Sequence, residues 1–196
     1  MVDLFSDIIQ RCRQGDRKAQ EAVYNLLAGK MFAICLRYCA NYETARDLLH
    51  DGFVTIFTKI EQFKNVGSFE GWVRRIFLNH AVEWYRNNSK YEMVYNWDDS
   101  DRYFVDPENE DEDESPGYHL TEKELLAMVD KLPEKYRIVF NLYVIDGLSH
   151  KEIAQKIGIS ESTSRSNLLR ARLIMQKQIK DIVYFNSMSA VSNASK

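Results

Sequence analysis

Between positions 98 and 114 the chain carries ten acids, Asp98, Asp99, Asp101, Asp106, Glu108, Glu110, Asp111, Glu112, Asp113 and Glu114, against one base, Arg102. A stretch this charged, with no apolar periodicity, buries too little surface to offset the entropy of ordering it. Its net charge is −9, and the whole chain carries only −3, so everything outside it carries +6. The acids therefore divide the 196 residues into two mildly basic modules, each the size of a small domain. Only 3 prolines and 8 glycines are present, too few breakers for a sandwich or barrel. The expectation is an all-α chain of two small helical domains, residues 1–90 and 119–183, joined by an acidic flexible linker, 91–118. A small, polar, disordered tail is expected over 184–196.

No run approaches the roughly 18 apolar residues of a membrane span. The opening Met1-Val2-Asp3-Leu4-Phe5-Ser6-Asp7 lacks the basic flank and apolar core of a secretory signal. Three cysteines without a CxxC do not make a disulfide framework. A soluble, cytoplasmic protein with reduced thiols is expected.

In the first module, Asp16 is placed to cap a helix with apolar residues at Val23, Leu26, Leu27, Phe32, Ile34, Leu36 and Tyr38. A helix over about 43–61 repeats Ala45, Leu48, Leu49, Phe53, Ile56, Phe57 and Ile60 on one stripe, with Asp47, His50, Asp51 and Val54 opposite. Phe63–Ser68 reads as a loop. A helix over about 69–88 buries Phe69, Trp72, Val73, Ile76 and Phe77 and sets Arg75, Asn79, Val82 and Arg86 on another face.

The second module is more sharply punctuated. Thr121…Glu124 and Ser149…Glu152 are capping boxes, and Pro133 suits a helix start. Residues 149–175 have the pattern of a DNA-reading helix-turn-helix. Ala154 is small where two helices must approach, Gly158 suits a left-handed turn, and Ser160 is placed to cap the second helix. Ser164, Leu168, Ala171 and Met175 fall on an inward face, although a branched apolar residue would pack better than Ser164. Ser162, Thr163, Arg165, Ser166, Asn167, Leu169 and Arg170 are expected outward. There Arg pairs with guanine, Asn reads adenine, and Ser serves either. A solvated basic helical hairpin is the plainer alternative.

Taken together, these motifs resemble the extracytoplasmic-function sigma factors of bacterial RNA polymerase. Leu132-Pro133-Glu134, Gly147-Leu148-Ser149-His150-Lys151-Glu152-Ile153-Ala154 and Thr163–Arg172 resemble sigma region 4. Gly15-Asp16-Arg17-Lys18-Ala19, Ala45–Phe53 and Phe69–Asn79 resemble sigma region 2. Departures from the family pattern are His50 for Gln, Glu83 for Asp, Ser164 for Val and Asn167 for Arg. The resemblance implies three tasks. Asp47, His50, Asp51 and Phe53 would bind core polymerase. Lys64, Asn65, Ser68, Arg75, Asn79 and Arg86 would hold the −10 element as single strand. Ser162, Thr163, Arg165, Ser166, Asn167, Leu169 and Arg170 would read the −35 duplex. The implied partners are core RNA polymerase, promoter DNA and an anti-sigma protein. The runner-up reading is a stand-alone helix-turn-helix regulator, and a third is a protein that binds only partner helices.

No cofactor and no metal are expected. Cys35 and Cys39 share a helical face but lack the further ligands of a zinc site. His50, His80, His119 and His150 form no base–nucleophile pattern, and no Gly-rich phosphate loop occurs, so no enzyme is expected.

Overall fold

The computed structural model describes residues 4–39, 41–93 and 121–193. The acidic run 98–114 lies outside them. Among the described residues there is no strand. The chain divides into two compact units, Met1–Tyr91 and Glu92–Lys196.

The first unit contains α1 (Leu4–Arg13), α2 (Arg17–Cys39), α3 (Tyr42–Lys59), a short 3-10 turn (Ile60–Gln62) and α4 (Phe69–Met93). Asp16 caps α2 as its position predicts, accepting from the backbone N–H groups of Lys18 at 2.8 Å and Ala19 at 3.3 Å. Asn41 caps α3, accepting from Glu43 and Thr44. Along α2 the buried residues are Ala19, Val23, Leu27, Met31, Ile34, Cys35, Tyr38 and Cys39, largely a stripe of fourth residues. Leu26, grouped with this apolar run in the sequence, falls off the stripe and is exposed. Tyr38, Phe77, Leu27, Met31 and Ile56 are the largest fully buried side chains of this unit.

α3 and α4 approach closely at Gly52, where a Cβ would overlap the ring of fully buried Phe77. Glycine is required there for space rather than for backbone freedom. All three cysteines are buried. Burial pushes the Cys35 thiol up to about 12, and Cys39 donates its S–H to the Cys35 carbonyl at 2.8 Å. These thiols are packing groups.

The second unit contains α5 (Glu122–Asp130), α6 (Glu134–Phe140), a π turn (Asn141–Ile145), α7 (His150–Ile157) and α8 (Glu161–Asn193). Both capping boxes form, Thr121 with Glu124 and Ser149 with Glu152. Val129, Leu132, Tyr136 and Ala171 make a buried cluster that Phe140, Ile174 and Met175 flank. Two helices outrun their expected ends. α4 continues to Met93, through the first positions of the expected linker, and α8 continues to Asn193, through most of the expected disordered tail. Neither extension crosses a Pro or Gly, so no residue there forbids the helix.

Candidate functional site

On the first unit the relevant surface is the outer face of α3. Asp47, His50 and Asp51 are exposed, as their helical spacing predicts. Beside them runs an open groove of about 490 Å³ lined by Tyr24, Arg46, Asp47, Leu49, His50, Phe53, Val54 and Phe57. Phe53 requires a correction. Expected as a contact residue, it is 4% exposed, with its ring 4.6 Å from Tyr24 and 5.3 Å from Phe77. The buried stripe it belongs to holds it in the core, where it forms the groove's floor. Tyr24 and Val54 are the exposed apolar edges, and the sequence reading assigned no contact role to either.

The loop between the 3-10 turn and α4 holds the expected −10 residues. Lys64, Asn65 and Ser68 are all exposed. Phe63 is buried, with ring centroids 5.3 Å from Phe69 and 5.6 Å from Trp72, so the loop is closed at its base by aromatic packing. Ser68 accepts from the Gly71 N–H at 3.0 Å at the start of α4. Asn65 has φ of 56° and Gly67 of 78°, so two left-handed residues turn the tip outward. Val66 stands at that tip, 84% exposed. On α4, Arg75 and Asn79 are exposed, and half-buried Arg86 lies 3.8 Å from Glu83. Val82, read onto the same face, is buried. The polar face is therefore interrupted before Arg86.

In the second unit, α7 ends at Gly158 with φ of 76°, the left-handed stop that the sequence predicts. Ser160 caps α8, accepting from the Thr163 N–H at 3.0 Å. Its hydroxyl also lies 2.7 Å from that of Ser162 and 2.8 Å from that of Thr163, so a small hydroxyl network opens the helix. Ser162, Thr163 and Arg165 are exposed, with the Arg165 guanidinium 3.8 Å from Glu161. Ser166, Leu169 and Arg170 are half-buried, and Arg170 lies over the Tyr136 ring at 6.0 Å.

One expectation about α8 is overturned. Asn167 is buried, not outward. It stands at i+3 from Ser164 with Leu168 at i+4 and Ala171 at i+7, which is the full width of a core-facing stripe. Ser164 lies inward as its spacing predicts: it is fully buried, and its Oγ lies 2.9 Å from His150 Nδ1 on α7. That imidazole stacks on Tyr143 at 4.5 Å and 21°. Burial first, then the nearby Arg165 and Arg172, hold the imidazole below its usual protonation range, while Glu161 opposes them. In the neutral Nε2–H tautomer, Nδ1 accepts from the Ser164 hydroxyl.

No group of three or more His, Cys, Asp or Glu able to hold a metal occurs among the described residues. The surfaces are instead exposed hydroxyls, amides and cations on helix ends and a loop, suited to nucleic acid, and an apolar groove edged by charge, suited to another protein.

Two family models match the chain, one in each unit. Residues 23–91 match the family described as Sigma-70 region 2, and residues 122–175 that described as Sigma-70, region 4. The chain is 28% identical over 185 residues to the ECF RNA polymerase sigma factor SigE of Mycolicibacterium smegmatis, covering 92% of this chain and 68% of that one. It is 25% identical over 193 residues to the ECF RNA polymerase sigma-E factor of Haemophilus influenzae, covering 93% of this chain and 100% of that one. Among solved structures, the sigma factor RpoE of Bartonella quintana, crystallised with the anti-sigma factor NepR, is 19% identical, covers 82% of this chain and 96% of that one, and has a TM-score of 0.46.

Proposed function

The chain belongs to the extracytoplasmic-function sigma factors of bacterial RNA polymerase, and from that membership we propose how its residues share the work of choosing and opening a promoter. The exposed ridge Asp47, His50 and Asp51, with the groove floored by Phe53, docks on core polymerase. Desolvating Tyr24 and Val54 supplies apolar contact, and the flanking charges fix orientation.

The loop 63–68 and the outer face of α4 then hold the −10 strand. Opening a duplex needs a site that binds an unstacked base better than its neighbours in the helix do. Exposed amide, hydroxyl and ammonium groups on a turn of fixed shape supply such a site through Lys64, Asn65 and Ser68, with Arg75 and Asn79 along the strand. The −35 duplex is read from the first turns of α8, by Ser162, Thr163, Arg165 and Ser166. Arg170 and half-buried Leu169 stand at the margin, and buried Asn167 supports the helix from behind.

The protein supplies specificity, and the catalysis is the polymerase's. It therefore works in the cytoplasm, where polymerase works, and no described helix is long and apolar enough to cross a membrane. An anti-sigma protein that covers the docking surfaces is the partner expected to hold the chain inactive.

The observation that carries the reading is the presence, in one chain, of a region 2 unit with an exposed charged ridge and a region 4 unit with a capped helix-turn-helix. Runoff transcription with purified core polymerase over a pooled promoter library tests it. Transcripts that depend on the chain and share two upstream sequence blocks are expected. If the chain adds no start-site selectivity to core, the reading fails.

A further inference from the structure

The loop 63–68 is held in place by more than its own residues. At its exit Ser68 caps α4, and beneath it Phe63, Phe69 and Trp72 pack together. At its entrance the Phe63 N–H donates to the Ile60 carbonyl at 3.1 Å, which leaves the half-buried Phe63 carbonyl needing a donor of its own. That donor comes from fifty residues away: Arg13 Nη2 donates to Phe63 O at 2.5 Å, while Arg13 Nε faces the Glu61 carboxylate at 3.8 Å.

Arg13 is the last residue of α1, and α1 is itself fixed. Ile9 and Cys12 are buried. Arg11 donates to Asp16 Oδ2 through Nε at 2.9 Å and Nη2 at 2.7 Å, and Asp16 in turn caps α2. The guanidinium therefore reaches the loop from a rigid mount. α1 also lies outside the residues that match the Sigma-70 region 2 family, which begin at 23.

We propose that Arg13 is a positioning residue for the base-capture loop, so that the N-terminal helix takes part in opening the promoter. The inference rests on the reading of loop 63–68 as the −10 site. Arg13 does not touch DNA in it. The bond to Phe63 O sets where the chain leaves the 3-10 turn, and so sets where Asn65 and Lys64 present their polar groups. A planar cation held between a carbonyl and a carboxylate does this with little freedom.

The test uses the full chain assembled with core polymerase. The Arg13→Ala, Arg13→Lys, Lys64→Ala and Asn65→Ala variants are compared for core affinity, closed-complex binding and the rate of opening. Opening is measured on a promoter with its preferred −10 sequence and on one substituted at the unstacked base. Arg13→Ala should slow opening on the preferred template about ten- to a hundred-fold, the range expected for losing a charge-assisted bond, with core affinity and closed-complex binding within about two-fold. The ratio of the two opening rates should fall, and Arg13→Lys should restore only part of it, because an ammonium keeps the charge but not the planar hold on both partners. Partial unfolding would lower both rates alike and leave their ratio unchanged. An unchanged ratio, or equal losses in core affinity, closed binding and opening, overturns the positioning role. If Lys64→Ala and Asn65→Ala also leave opening and the ratio intact, the loop is not the capture site, and the reading beneath the inference falls with it.

Discussion

At His150 the surroundings act together on one proton. The ring is half-buried at the start of α7, stacked on Tyr143 and bonded to Ser164, with Arg165 and Arg172 nearby. The helix N-terminus adds its own positive partial charge. Burial, Arg165 and Arg172, with the helix N-terminus, disfavour the imidazolium, and Glu161 favours it. An unfolded imidazole takes its proton near about pH 6.5 and the folded one only at lower pH, so below about 6.5 the unfolded state binds more protons. The second unit should therefore keep a constant contribution from this site above about pH 6.5 and lose it progressively as pH falls below. Urea unfolding across pH 5 to 7.5 would show the slope, and His150→Gln should flatten it. A wild-type midpoint independent of pH over that window would exclude the effect.

Arg165 is exposed on the face proposed to read the −35 duplex, so Arg165→Ala should cost about 1–3 kcal/mol of specific binding and relax preference at one base pair. Titration of holoenzyme on duplexes varied singly across the −35 block checks this. A uniform loss across sequences would make Arg165 a phosphate contact. Helical periodicity exposes Ser162, Thr163 and Arg165 but misplaces Asn167, because the inward stripe drawn through Ser164, Leu168, Ala171 and Met175 is too narrow. The stripe is set by spacing, and at i+3 from Ser164 an amide goes inward with its neighbours. The partner that makes Ser164 acceptable comes from another helix, fourteen residues earlier, and no local pattern announces it.

At the level of helices, what touches what depends on a few close approaches. Gly52→Ala should destabilise the first unit by about 1–3 kcal/mol, since the new methyl meets the Phe77 ring and that ring is walled in on every side. A thermal melt lowered by several degrees, with the second unit's unfolding unchanged, is the expected result. The outer face of α3 is the opposite case. Reversing charge at Asp47 and Asp51 should weaken core binding while leaving the fold intact, because both side chains are exposed. Unchanged affinity in a competition assay against a labelled wild-type chain would remove them from the interface.

The helix starts were legible in the sequence wherever a cap was written: Asp16, Thr121, Ser149 and Ser160 all accept the backbone bonds their positions foretell. The ends of α4 and α8 were not, since loss of a stripe does not stop a helix that lacks a breaker. α1 carries its own signal, since Leu4, Phe5, Ile8, Ile9 and Cys12 recur at helical spacing. What α1 does with Arg13 was not available to any reading of neighbours, because its acceptor lies fifty residues on.

For the molecule as a whole, charge is distributed by segment. The acids of 98–114 offset a chain that is otherwise +6. If they compete with DNA for the basic helix surfaces, replacing Glu110, Glu112 and Glu114 with Gln should raise the free chain's affinity for duplex at low salt. The gain should shrink as salt screens it. Equal affinities of the two forms at all salt concentrations would reduce the acids to solubilising charge.

Leu27, Tyr38, Ile56 and Phe77 fill one unit, and Ile138, Leu142, Ile153 and Ala171 fill the other. Each half is thus complete in its own interior. Under the proposed division of labour, recombination within the codons between them would replace one unit's promoter preference and keep the other's, without asking either interior to repack.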